Sequence, residues 1–187
     1  MIEVPPSQRM RDIGVVQRGA EILAVRAEAL ALPAEREDAE WLVGELFAAM
    51  ERIATAHDFS GKGMGLAAPQ LGLGQAVAVV KPAGTGPIVL INPRITARSD
   101  ESDEQYEGCL SFFDVRGMVS RPLCVTVETT AQDGSTVSTV YERGPARLVQ
   151  HEIDHLEGIL YTDRMGPGVE PIPVERYRRT GRAWEYQ

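Results

Sequence analysis

The chain has 187 residues, of which 43% are hydrophobic and 25% charged, with a net charge of −8. That length suits one globular domain, residues 1–187, with a sizeable core. The acidic balance argues against DNA or general nucleic-acid binding, and no segment reaches the apolar length that spans a bilayer. The opening residues, MIEVPPSQRMRDIG, lack the apolar stretch of a signal peptide, so a cytoplasmic protein is expected. In a reducing compartment its two cysteines, Cys109 and Cys124, are not expected to pair.

From Glu35 to His57, Trp41, Leu42, Leu46, Phe47, Met50 and Ile53 recur mostly every three or four residues with charges between them, which predicts an amphipathic helix on a core. The stretch GMGLAAPQLG, Gly63 to Gly72, reads as backbone lying close to something, because its glycines and alanines carry little bulk. QAVAVV and PIVLINP are short, bounded by Gly or Pro and rich in β-branched residues, and so predict strands. RSDESDE reads as an acidic, solvated loop. CVTVETTAQDGSTVSTVYE alternates apolar and polar residues around Asp133-Gly134, a hairpin signal.

Helical spacing resumes from Ala146 to Glu157, and Gly158 stands where a helix stop is expected. GPGVEPIPV is a proline-stiffened connector to the tail ERYRRTGRAWEYQ, which reads as either a helix or a loosely held end. Helix, several strands, then a second helix, without regular alternation, favours an α+β fold.

Within the second helix, QHEIDHLEG sets His151 and His155 four residues apart, slightly more than one turn, so both imidazoles leave the same face. Two neutral imidazoles can bind a transition metal while the adjacent Glu152 accepts a proton from the attacking water. The bland alternative is a pair of histidines bonded to backbone or water, and a third ligand would decide between them. Cys109, in the polar stretch YEGCLSFFD, is the best candidate, because a thiolate is a strong metal ligand. Cys124 opens an alternating strand and reads as a small buried hydrophobe, while His57 reads as a surface or helix-end residue. Gln70, closing the glycine-rich stretch, is suited to donate to an oxyanion or orient a carbonyl.

Gly63 to Gln70, Glu107 to Ser111 and Gln150 to Gly158 together, in this order, resemble the three motifs of the peptide deformylases. The likeness runs from about residue 10 to 165, leaving the Arg-rich tail, about 167–187, without a matching motif. It implies mixed or antiparallel sheets packed around a central metal-binding helix, with an amphipathic helix nearer the N-terminus. The implied metal ligands are Cys109, His151 and His155, with Glu152 as acid/base and the Leu110 N–H and Gln70 side chain holding the formyl oxygen. Gly65 would pair with the substrate backbone as an added strand, with Met64 and Leu148 walling a methionine pocket.

The resemblance also implies ferrous iron, with zinc, nickel or cobalt possible in isolated protein, N-formylmethionyl peptides as substrate, and the ribosome as a partner through the tail. Asp154 would be structural, bonded to an arginine. One departure stands out: the family usually has a proline two residues after Cys-Leu-Ser, and this chain has Phe113 there, which bears on the pocket rim. Three rival readings remain open in the sequence. They are an HExxH metalloprotease, against which the upstream cysteine argues, a non-catalytic metal-binding module, and a deformylase-like amidase acting on another N-acyl substrate.

Overall fold

The computed structural model describes residues 4–57 and 63–182. A short helix α1 (Pro6–Asp12) precedes the long helix α2 (Arg36–Ala56), which matches the predicted segment to within a residue at each end. Its buried side chains, Ala39, Leu42, Leu46, Ala49, Met50 and Ile53, form one stripe. Phe47 is half-buried against the same core. Trp41 corrects the sequence reading: it is 56% exposed, because one residue advances the helix by roughly 100° and carries it off the stripe that Leu42 occupies.

The glycine-rich stretch is not only a loop. It opens as strand β1 (Met64–Ala67), which pairs antiparallel with β2 (Val77–Lys81), itself paired with β3 (Ile88–Ile91). Val77, Ala78, Val79 and Val80 are all fully buried, an unusual run for an antiparallel strand. The cause is a helix on each face. Val77 and Val79 pack with α2 residues such as Leu42 and Met50. Ala78 and Val80 pack with Ala146, Val149 and Ile153 of helix α3 (Arg143–Leu156). The same alternation sends Leu66 of β1 towards α2 and Ala67 towards α3.

A second sheet orders β4 (Arg94–Arg98), β7 (Cys124–Thr130) and β8 (Thr136–Glu142), and a third orders β5 (Ser102–Glu107), β6 (Val115–Pro122) and β9 (Ile172–Pro173). All these strand pairs are antiparallel, as the α+β reading expects. β7 and β8 form the predicted hairpin, with Gly134 at φ +85° and the Asp133 carboxylate accepting from the Ser135 N–H at 2.9 Å. The acidic segment is loop only at residues 99–101, since Arg98 ends β4 and Ser102, Asp103 and Glu104 belong to β5. Part of the connector likewise forms β9, and the tail continues as the short helix α4 (Val174–Arg178). Its last five residues, 183–187, lie outside the described residues.

α3 starts three residues before the predicted point, with Pro145 in the first turn, where its missing N–H breaks no helical bond. It stops where expected. Gly158 takes φ +72°, and a Cβ there would lie 2.9 Å from backbone carbons of Ala24 and Val25, so both conformation and space demand glycine. α3 therefore enters between the first sheet and β7 and carries its motif into the interior.

Candidate metal centre

The interior end of α3 brings His151 and His155 together with rings 5.1 Å apart and nearly perpendicular. Cys109 reaches them from the loop between β5 and β6, where it caps a tight turn, Leu110–Phe112, and is 3% exposed. Its Sγ lies 3.2 Å from His155 Nε2. One donor atom from each of Cys109, His151 and His155 can be chosen so that all lie within 4.8 Å of one another. A thiol and two imidazoles so converged, with little competing solvent, fit a borderline-soft divalent ion; zinc, iron, nickel and cobalt all suit this donor set.

Both imidazoles are set by their surroundings. His151 Nδ1 is 2.9 Å from a Glu107 carboxylate oxygen, which leaves Nε2 for a ligand and raises the ring's basicity. Burial opposes a charge on His151, but the bonds to Cys109 and Glu107 outweigh it and hold its pKa well above the usual range. At His155, burial and the neighbouring His151 act together and push the pKa well below that range, which keeps the ring neutral.

Glu107 itself was named in the sequence only as part of a motif. It is fully buried, accepts two bonds from Arg121 at 2.6 and 2.9 Å and one from Arg147 at 2.7 Å. Burial pushes its carboxyl up, yet Arg121 and His151 more than offset this and hold it below the usual carboxylate range. Arg121 also donates to Asp154 at 2.9 Å, and Asp154 takes a further bond from Arg164 at 2.7 Å. Asp154 is thus bonded to two arginines, and Arg121 ties the end of β5, two residues before Cys109, to α3. The sequence signal available for Arg121 and Arg147 was slight, since each is one arginine in an otherwise ordinary strand or helix.

Glu152 projects from α3 towards β1, is buried, and keeps its Oε2 without a hydrogen-bond partner among the described residues. Burial pushes its carboxyl up to about 7, against the opposing pull of His151. Gly65 faces it so closely that a Cβ at that position would lie 2.6 Å from Glu152 Cγ and Cδ. Gly63 is matched in the same way by Leu148, whose Cδ1 would be 2.6 Å from an added Cβ. Met64 is buried in the α2 core with Leu110, so it and Leu148 lie in separate apolar clusters.

Gln70 is 1% exposed; its Oε1 accepts from the Ala67 N–H at 2.9 Å, while Nε2 donates to Ser111 Oγ at 3.3 Å and lies 3.6 Å from Cys109 Sγ. Its amide therefore faces the thiol beside Leu110. Phe113 is half-buried, with the Arg116 guanidinium 4.4 Å above its ring and His57 5.6 Å away. Arg116 holds this segment further by donating to the Phe113 and Val115 carbonyls at 2.8 and 2.7 Å. His57 stands at the C-terminal end of α2, and Cys124 is half-buried rather than buried because it opens a strand next to the exposed segment around Ser99.

The sequence profile of the polypeptide deformylase family matches residues 13–170. The chain is 46% identical over 102 residues to a peptide deformylase of Desulforudis audaxviator, covering 54% of this chain and 66%, just under two thirds, of that protein. Against a peptide deformylase of Acidobacterium capsulatum it is 36% identical over 154 residues, covering 80% and 85%. The crystal structure of peptide deformylase from Thermotoga maritima superposes with a TM-score of 0.70 at 31% identity, covering 82% of this chain and 97% of that one. The family is metal-dependent, and these relationships support neither the metalloprotease nor the other-amidase reading. On this evidence the chain belongs to the polypeptide deformylase family, hydrolases that remove the N-formyl group from nascent peptides.

Proposed function

We propose that this chain acts as a single catalytic unit that deformylates peptides beginning with formylmethionine, releasing formate and a free amine. Cys109, His151 and His155 would hold the metal, which supplies Lewis acidity to activate water and polarise the formyl carbonyl. Glu152 accepts the proton of the attacking water and returns it to the departing amine. The Leu110 N–H and the Gln70 carboxamide hold the formyl oxygen as it gains charge. Gly65 offers β1 as an edge for the peptide backbone, and Met64 and Leu148, one from each of the apolar clusters on the two faces of β1, meet the methionine side chain at that edge. The observation that carries this reading is the convergence of Cys109, His151 and His155 beside a buried Glu152 whose Oε2 has no partner among the described residues.

Ferrous iron is the metal proposed, with zinc, nickel or cobalt able to take its place in isolated protein, and the cytoplasm is the proposed compartment. Formate release from a formyl-methionyl peptide by anaerobically prepared protein tests the activity; failure with every one of these metals would overturn it. Aeration should inactivate the iron form and spare a nickel form, and equal survival would remove the ferrous assignment. The arginines of the tail, Arg176, Arg178, Arg179 and Arg182, are proposed to face the ribosome in an otherwise acidic protein. Ribosome co-sedimentation that truncation after Pro173 leaves unchanged would discard that contact.

A further inference from the structure

The two groups assigned to the formyl oxygen come from different loops, Gln70 after β1 and Leu110 after β5, and one short segment near the N-terminus touches both. Val15 anchors it: its side chain is buried in the α2 core with Met10 and Leu110, and its N–H donates to the Met10 carbonyl at 3.0 Å. The next residue, Val16, donates its N–H to the Gln70 carbonyl at 2.8 Å. Gln17 then donates its Nε2 to the Val15 carbonyl at 2.9 Å and to the Leu110 carbonyl at 3.3 Å. Arg18 donates its N–H to the Ser111 carbonyl at 2.8 Å, and its guanidinium lies 5.4 Å from the centre of the Phe112 ring.

Three consecutive residues, Val16, Gln17 and Arg18, thus hold the backbone carbonyls of Gln70, Leu110 and Ser111, with Val15 as their anchor. The turn Leu110–Phe112 is short, and its Phe112 N–H donates to the Cys109 carbonyl at 3.2 Å. A turn of that length is held weakly by itself. The Leu110 N–H shares its peptide plane with the Cys109 carbonyl, which the Phe112 N–H holds, and fastening the next two carbonyls from outside keeps the turn that carries this plane in place. Fixing donors before charge develops is what makes such a site effective, since no reorganisation is then needed during the reaction.

We propose that Val15–Arg18 is a strap that sets the spacing of the two oxyanion donors, with Gln17 as a positioning residue acting through Leu110. The proposal rests on the assignment of Gln70 and Leu110 made above. Gln17→Met keeps the side chain's length and removes its donor. With metal content matched to the parent, kcat on a formyl-methionyl peptide should fall about 10-fold, because donors misplaced by a fraction of an ångström lose much of their effect. KM should stay within about twofold, since peptide backbone and methionine contacts are untouched. Amide hydrogen exchange should quicken in the segment bearing Leu110–Phe112 and not in α2.

A rise in KM with kcat intact would make Gln17 a substrate-binding residue and overturn the strap, as would parental kinetics. Should Gln17→Met fail to fold, Gln17→Glu, which is equally long and places an acceptor against the Leu110 carbonyl, is read by the same two constants. Gln70→Met separates the layers of the argument. If it leaves kcat intact, the oxyanion assignment itself fails; if it lowers kcat while Gln17→Met does not, only the strap fails.

Discussion

α2 and α3 cover opposite faces of the same three strands, yet they bury different chemistry. α2 buries Ala, Leu, Met and Ile and leaves its charges in solvent. α3 buries Arg147, Gln150, Glu152, Asp154 and His155 among its apolar residues. A buried charge without a partner is so unfavourable that each of these must be matched or left unmatched for a reason. Arg147 and Asp154 are matched by Glu107 and Arg121. Glu152 Oε2 and His155 Nδ1 are not matched among the described residues. α2 is therefore an element of stability, and α3 is one in which stability has been given up locally around the proposed reacting centre.

The largest expected effect comes from Glu152. Replacing it by Gln keeps the shape that fits against Gly65 and removes the basicity. The rate should fall by ~10²–10⁴-fold, the range of lost general acid/base catalysis, while metal stays bound at parental stoichiometry. Formyl-peptide should still bind. Loss of the metal in Glu152→Gln would show the carboxylate to be a ligand or its essential support, and full activity would require another base.

Glu107 sharpens the comparison from the other side, because it serves both the fold and the metal. Glu107→Gln leaves two buried guanidiniums short of a counter-charge, and breaking such a pair costs about 3–5 kcal/mol. It also weakens the hold on His151, for which a loss of roughly 10- to 100-fold in metal affinity is expected. Chelator competition on the folded fraction measures the second effect apart from the first. Parental metal affinity in a folded variant would mean that His151 needs no carboxylate to orient it.

How far the chain could be read varied with how local the cause was. α2, α3, β2, β3 and the β7–β8 hairpin follow from spacing and turn residues within one segment. Cys109, His151 and His155 were legible because each stands in a motif, and the fold brings those motifs together. β1 was hidden because Gly65 and Ala67 carry no β-branched signal; the strand exists through its pairing with β2. β5 was hidden because Asp103 and Glu104 read as solvated, whereas the Asp103 carboxylate accepts from the buried Arg147 at 2.6 Å. The network of Glu107, Arg121, Arg147 and Asp154 joins residues up to 44 positions apart when Asp103 is included, and nothing local marks it.

The smallest expected effect tests the stripe on α2, through two neighbours that the sequence treated alike. Leu42 is 2% exposed and packs against Val77 and Val79, whereas Trp41 is 56% exposed. Leu42→Ala removes buried methyl groups and leaves a cavity in a core that helix and sheet hold open, so unfolding free energy should drop by about 2–5 kcal/mol. Trp41→Gln removes a larger side chain but little buried contact, and glutamine is a good helix former, so the change should stay within about 0.5 kcal/mol. Neither residue approaches Cys109, His151 or His155, so kcat measured on the folded protein should match the parent in both. Denaturant unfolding of the two variants side by side decides it. If Trp41→Gln were destabilised as much as Leu42→Ala, the outer face of α2 would be packed against something, and the division between a purely structural helix and a reacting one would have to be redrawn.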